Sequence, residues 1–311
     1  MDNKKEILLR LSEIFEEASV LLKELIEVET NYADNTNDVN NVNSNNSTTL
    51  VKYNSFKISS LEQMDFENVN NITLQLLKEK GLKVKNYNLD ILESEGLTTL
   101  AKVMGQKFKT IKPLLDQIKK SQSSRQRIYM DLSKQPQEVI SDITLVANLA
   151  HQAGLLPNYK YAKSPKYKLF ADAPLSPIAI NFFTGAWLEI YAYSIITEFE
   201  AKYNLQIFPI SNAHISLPNG DQFELDLIFT LKNKLIWIEA KTSDNFSRLL
   251  PKYKNISEII CDSPQNAILL WTNYNKDNPI MSARGTLAKM TLCNIEEFSE
   301  YLNYLFAKIA K

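Results

Sequence analysis

The stretch LIWIEAK (235–241) is apolar until its end, where Glu239 and Lys241 stand two residues apart. A strand sends alternate side chains to opposite faces, so these two charges share a face and must be neighbours. The preceding apolar stretch, FELDLIF (223–229), carries Asp226 between Leu225 and Leu227, where a carboxylate without a partner is costly to bury. A divalent cation is such a partner. Two carboxylates on adjacent strands offer the oxygen ligands that Mg²⁺ or Mn²⁺ prefers, and the backbone carbonyl of Ala240 can add another. A cation held there would activate a water and neutralise charge developing on a phosphodiester. Lys241, beside that water, could orient it, help to deprotonate it or stabilise the pentacovalent phosphate. Glu189, in the largely apolar and aromatic GAWLEIYAY (185–193), is the candidate third acid. Glu224 shares a strand face with Asp226 and either assists or is solvated.

Other chemistries have little material. The only histidines, His151 and His214, are far apart in sequence, and Cys261 and Cys293 fit no metal-ligand spacing. Carboxylates and lysines are left to carry any catalysis.

The elements that must position these residues are regular after Pro177. The pattern predicts a helix at 182–201, strands at 205–210, 223–230 and 234–241, a helix at 245–259 and a strand at 266–271. A short helix at 282–289, a strand at 290–293 and a helix at 295–310 complete it. LPNGDQ (217–222) and KNK (232–234) supply turns, so 223–230 and 234–241 should form an antiparallel hairpin. Within the helix at 245–259, Lys252, Tyr253 and Lys254 could touch a nucleic-acid backbone but read first as solvated surface. The order is that of an α/β domain.

The first half reads differently. Residues 5–29 place apolar residues at helical spacing, so 1–30 is an amphipathic helix that docks on its own domain or dimerises. The polar, Asn-dominated segment 31–49 cannot offset its ordering entropy and reads as a flexible loop. Residues 50–175 read as a mainly helical region, regulatory or nucleic-acid-binding, with a strand at 51–58 and helices near 69–80, 97–120 and 136–156. The second of these bends or restarts at Pro113. Between Lys102 and Arg127 there are eight basic residues, including Arg125 and Arg127, and one acid, Asp116. Such a run either follows a phosphate backbone or is a solvated helical face. In YKYAKSPKYK (159–168), Lys160, Lys163, Lys166 and Lys168 alternate with tyrosines that could stack on bases. A wing-like hairpin or a linker would give the same composition.

Lys and Arg number 35 against 36 Asp and Glu, a formal net charge of -1. Attraction to nucleic acid must therefore be local. No apolar run reaches the roughly 18–20 residues that cross a bilayer, and MDNKKEILLRLSEIFEE is too charged for a signal peptide. The expectation is a cytoplasmic protein without membrane contact.

The spacing ELD (224–226), twelve residues, then EAK (239–241) resembles the PD-(D/E)XK nuclease superfamily, with Leu225 where the superfamily's name has proline. The resemblance implies a restriction-endonuclease-like core, a mixed sheet flanked by helices, over 176–311, preceded by the mainly helical region. By resemblance Asp226 is the motif aspartate, Glu239 the variable acid, Lys241 the motif lysine and Glu189 the helical glutamate. More narrowly, TGAWLEIYAY (184–193), ELDLIF, IEAKT and SARGTLAKMTL (282–292) are similar to CRISPR-associated nucleases activated by cyclic oligoadenylate. Residues 1–130 lack the alternating strands and Gly-rich turns of the sensing domain those relatives carry. The activity so implied is that of a Mg²⁺- or Mn²⁺-dependent endonuclease acting on DNA ahead of RNA, in defence against foreign nucleic acid. It would act as a homodimer, since cutting two strands needs two sites. The competing expectation is a non-catalytic nucleic-acid-binding or assembly subunit on a nuclease-like fold.

Overall fold

The computed structural model describes residues 71–88 and 94–310. The helix expected over 5–29, the loop over 31–49 and the strand over 51–58 lie outside the described residues. The chain begins with α1 (Ile72–Glu79), whose Asn71 side chain accepts the Thr73 and Leu74 N–H groups as an N-cap, and continues into β1 (Lys83–Asn88), α2 (Glu95–Gln106) and α3 (Phe108–Ser124). The helix expected over 97–120 is thus two helices, and the break falls at Lys107 rather than at Pro113, which α3 carries inside it. Two donors hold that corner: Lys107 Nζ at 3.3 Å and Thr110 Oγ1 at 2.7 Å both reach the buried carboxylate of Asp142. Asp142 lies on α4 (Gln137–Gln152), which comes after β2 (Ile128–Asp131).

After α4 come β3 (Lys160–Ala162) and β4 (Lys168–Ala171), then α5 (Pro177–Asn181), a single π-helical turn at Phe182–Ala186 and α6 (Trp187–Tyr203). The remainder is β5 (Ile210–Ser216), β6 (Gln222–Leu231), β7 (Lys234–Lys241), α7 (Leu250–Ile260), β8 (Ala267–Trp271), α8 (Pro279–Ala288), β9 (Thr291–Cys293) and α9 (Ile295–Ala310).

Six strands make one mixed sheet in the order β1-β5-β6-β7-β8-β9. The pairings from β1 to β7 are antiparallel and those of β7 with β8 and β8 with β9 are parallel. The two parallel steps enclose α7 and α8, as parallel pairing requires a crossover. β7 shows why its sequence is a continuous apolar run: Ile236 and Ile238 enter the core under α6 and α9, while Leu235 and Trp237 enter the core under α7. Each such side chain contributes about 1.5–3 kcal/mol when fully buried, and only a strand covered on both faces gains it at every position. The result is a mixed α/β fold with helices on both faces of the sheet.

Two departures from the sequence reading have simple causes. The strand expected at 205–210 starts instead at Ile210, because Pro209 has no N–H for a ladder. β1 was not anticipated, its sequence KVKNYN being mostly exposed, yet it pairs with β5. A segment from 50–175 therefore belongs to the same sheet as strands from 176–311, and one apolar core includes residues from Leu100 to Phe306. A separate three-stranded sheet, β2-β4-β3, joins the short strands of the first half.

Candidate active site

The ladder between β6 and β7 runs from Leu231↔Lys234 to Leu227↔Ile238 and ends there, although both strands continue. In the opening, Asp226 Oδ2 accepts the Ala240 N–H at 2.8 Å, a side chain taking the place of a backbone ladder bond. It is thus the N–H of Ala240 that meets Asp226. On its other edge β7 stays paired to β8 as far as Lys241↔Trp271. β5 pairs with β6 on either side of Asp226, with Asn212 opposite it in the left-handed region at φ 48°. The opening is one-sided, and its walls are held by the rest of the sheet.

Within it Lys241 Nζ donates to Asp226 Oδ2 at 3.2 Å and to Glu239 Oε1 at 2.7 Å. The three side chains read as neighbours from strand periodicity do converge. Glu239 is buried, 2% exposed. Its Oε1 also accepts the Tyr253 hydroxyl at 2.9 Å, while its Oε2 has no hydrogen-bond partner.

The carboxyl groups outnumber the one ammonium, and two of them hold their protons well above the usual carboxylate range. Burial, then the charge of Asp226, push Glu239 up to about 8, against the pull of Lys241 and the Tyr253 hydrogen bond. Half-buried Glu189 is pushed up to about 8 by burial and by Asp226, with Glu239 and Glu224 adding to it and Lys241 opposing. Glu189 lies in the first turn of α6 and feels the cluster through its charge. Burial acts to lower the Lys241 pKa, but Glu239 and Asp226 outweigh it and the net shift is upward. Asp226 and Glu239 thus hold one ammonium between them, and Glu189 acts on the group through its charge.

Among the described residues, no three His, Cys, Asp or Glu side chains form a ready metal cluster. The donor set nonetheless suits a hard divalent cation: two carboxyl groups on adjacent strands and a buried oxygen without a partner. Asp226, Glu239 and the Ala240 carbonyl are the groups that would hold it. Glu224 is exposed and lies 3.7 Å from His214 on the neighbouring strand, which is the solvated alternative.

Sequence reasoning missed Tyr253, which the adjoining Lys252 and Lys254 make look like surface. It is fully buried and donates to the site. Its spacing with Ile256 and Ile260, three and seven residues on, was the available signal. The segment leaving β7 is also fastened: Thr242 Oγ1 donates to Thr184 O at 2.5 Å in the π-helical turn, and Asp244 Oδ1 accepts Trp271 Nε1 at 2.8 Å. The Arg284 guanidinium lies over Trp271 at 4.9 Å and Phe246 at 5.2 Å.

The basic candidates lie elsewhere. Lys160 and Lys168 are on the hairpin of β3 and β4, Lys163 and Lys166 in its loop, and Arg125 and Arg127 lead into β2. All six belong to the three-stranded sheet and its connections. Arg127 is paired with Asp172 at 2.7 Å, and the Lys168 amine lies over the Tyr129 ring at 5.9 Å.

Among the described residues, no helix is long and apolar enough to cross a membrane. No family model matches the chain, and no curated protein does. Solved structures similar in fold include the following two. Can2 from Sulfobacillus thermosulfidooxidans, in complex with cyclic tetra-adenylate, superposes with a TM-score of 0.51 at 18% identity, covering 75% of this chain and 60% of Can2. Protein VC1899 from Vibrio cholerae gives 0.50 at 19% identity, covering 76% of this chain and 62% of the other. The chain spans less than two thirds of either structure, and at these identities the likeness is one of fold: a mixed sheet flanked by helices, of the kind seen in Can2.

Proposed function

We propose that the chain is a metal-dependent endonuclease that hydrolyses phosphodiester bonds of DNA, with RNA as the second candidate substrate, in defence against foreign nucleic acid. The observation that carries the reading is the convergence of Asp226, Glu239 and Lys241 in the opening between β6 and β7, with one Glu239 oxygen buried and unpartnered. The fold likeness to Can2, a protein solved with a cyclic oligonucleotide, supports it. When bound, Mg²⁺ or Mn²⁺ would supply charge neutralisation and a more acidic water.

The chain's own residues do the rest. Asp226 and Glu239 face one another across Lys241, so two carboxylates are preorganised at the place where positive charge is needed. The Ala240 N–H fixes the Asp226 carboxylate and Tyr253 fixes that of Glu239. Lys241, freed from one of its two partners, has an ammonium to orient the attacking water or to meet the charge on the phosphate. Glu189 adds a carboxyl group that keeps its proton near neutral pH and can give it up as the pH rises, being pushed up to about 8.

The test is cleavage of plasmid, single-stranded DNA and RNA with Mn²⁺ and then EDTA. Metal-dependent cutting lost in Asp226→Ala, Glu239→Ala and Lys241→Ala is the expected outcome; no cutting with any substrate and metal argues the proposal down. One observation favours a second reading, a non-catalytic nucleic-acid-binding or assembly subunit: the Lys241 ammonium already satisfies an oxygen of each carboxylate. Calorimetry separates the two, since that subunit would bind no Mn²⁺.

A further inference from the structure

We propose that the cleft between α3 and the ends of β7 and β8 is a phosphate subsite, where Lys119, Thr272 and Asn273 hold a backbone phosphate of the strand being cut. This rests on the nuclease reading and adds the path of the substrate away from the carboxylates.

The cleft encloses about 80 Å³ and is lined by Lys112, Asp116, Lys119, Thr242, Thr272 and Asn273, among others. Its polar wall is made from the same strand ends that carry the site. Thr242 is next to Lys241 in the chain, and the Thr272 N–H donates to Lys241 O at 3.0 Å. An anion bound here would therefore lie at the end of β7, one residue along the chain from Lys241.

The opposite wall is one face of α3, with Lys112, Asp116 and Lys119 at i, i+4 and i+7. Lys112 and Asp116 neutralise each other at 2.9 Å. That leaves Lys119 as the uncompensated charge of the cleft. Its amine is half-buried and has no ion pair among the described residues, and burial, reinforced by Lys112 and opposed by Asp116, lowers its pKa. A partly desolvated ammonium without a partner is unfavourable in the empty cleft and gains most from an anion. The Thr272 hydroxyl and the second amide hydrogen of Asn273, whose other one goes to Asp244, are further donors. The Thr242 hydroxyl is already committed to Thr184.

Phe108, Thr272 and Asn273 also line a wider pocket of about 430 Å³. There Lys109 pairs with Glu296 and Lys276 with Glu297. This second space has its lysines matched by acids and is of a size that holds a small organic ligand, so it suits a sugar and base better than a phosphate. Lys119 and Lys120 are the lysines of the run at 102–127 without an ion pair among the described residues, and of the two only Lys119 is half-buried and lines the cleft.

The experiment measures binding rather than cutting. An Asp226→Asn chain is titrated into a fluorescein-labelled single-stranded oligonucleotide, as DNA and as RNA, across a range of salt concentrations. Adding Lys119→Met should raise Kd about five- to tenfold and reduce the slope of log affinity against log salt by about 0.7, the contribution of one phosphate on a single strand. Lys119→Arg should restore most of the affinity, which reports on the subsite even if the methionine variant is poorly folded. Lys120→Met, one residue along on the exposed face, should leave the slope unchanged. Equal affinity and slope with and without Lys119 overturn the subsite alone, as does an equal loss in Lys120→Met. Absence of binding by the Asp226→Asn chain to either oligonucleotide overturns the subsite together with the nuclease reading.

Discussion

Glu239 is surrounded by groups that each constrain it differently. Lys241 and Tyr253 share its Oε1 while Oε2 is left bare in the interior. Period-two alternation was enough to place Glu239 beside Lys241, and Asp226 one strand away, because both rules act on the backbone alone. Tyr253 was illegible for the opposite reason: its contact depends on how α7 docks on β7, and the flanking Lys252 and Lys254 gave the segment a surface character. Tyr253→Phe should cost about 1–2 kcal/mol of stability, since it removes a hydrogen bond to a buried carboxyl group. If the tyrosine also orients Glu239 toward a cation, Mn²⁺ affinity should fall about 10- to 100-fold in calorimetry. A change in melting temperature with unaltered affinity would show that it only packs. The raised acids make a second prediction. Glu239 and Glu189 have folded values of about 8 against 4.5 unfolded, so between these pH values the folded chain holds more protons. Their contribution to stability is fully present below pH 4.5 and is lost as pH rises to about 8. In EDTA, the difference in melting temperature between the wild type and Glu239→Gln should shift against the wild type over that window. A pH-independent difference would show that Glu239 does not titrate there.

Elements were legible where turn chemistry and burial agreed. The hairpin of β6 and β7 came out within one residue of 223–230 and 234–241, because Lys232 and Asn233 take left-handed φ values of 46° and 62° at a two-residue turn and both strands are apolar. α7 begins at Leu250 rather than 245, with Pro251 in the first turn where its missing N–H is harmless. β1 escaped notice because its sequence is polar and β2 because it is only four residues long, and the pairing of both is decided by distant partners. The contact of α2 with α6 was equally hidden. A side chain at Gly105 would overlap the ring of Tyr191, two residues beyond Glu189 on α6, so the helix that carries Glu189 is seated by a glycine. Gly105→Ala should destabilise by about 1–3 kcal/mol through overpacking, a fall of about 2–4 °C in melting temperature for each kcal/mol. Cleavage should fall with it even well below the melting temperature. Gly185→Ala is the control, since nothing lies within 4 Å of the added methyl group. Equal melting temperatures for the two variants would mean that the α2–α6 contact yields easily.

The whole molecule carries a formal net charge of -1, so binding of a polyanion has to come from where charges sit rather than how many there are. What the sequence could not convey is how the halves share their interior. Composition and periodicity change near residue 176, which suggested a boundary there, but periodicity reports only which face of an element is apolar and says nothing about what covers it. Trp187, Leu188, Tyr191 and Ile195 of α6 lie in one core with Leu100 and Met104 of α2, Leu114 and Ile118 of α3 and Val146 of α4. β1 adds a sixth strand beside β5. A fragment of residues 176–311 would keep Asp226, Glu239, Lys241 and Glu189 yet lose the helices that bury the other side of α6. It would also leave β5 as an unpaired edge, which invites association. That fragment should therefore retain helical far-ultraviolet dichroism but lose its near-ultraviolet signal and cooperative melting, and bind a hydrophobic dye. A sharp, reversible melt of the fragment, with Mn²⁺ affinity equal to that of the full chain, would instead make residue 176 the start of an autonomous domain and reduce the first half to an accessory.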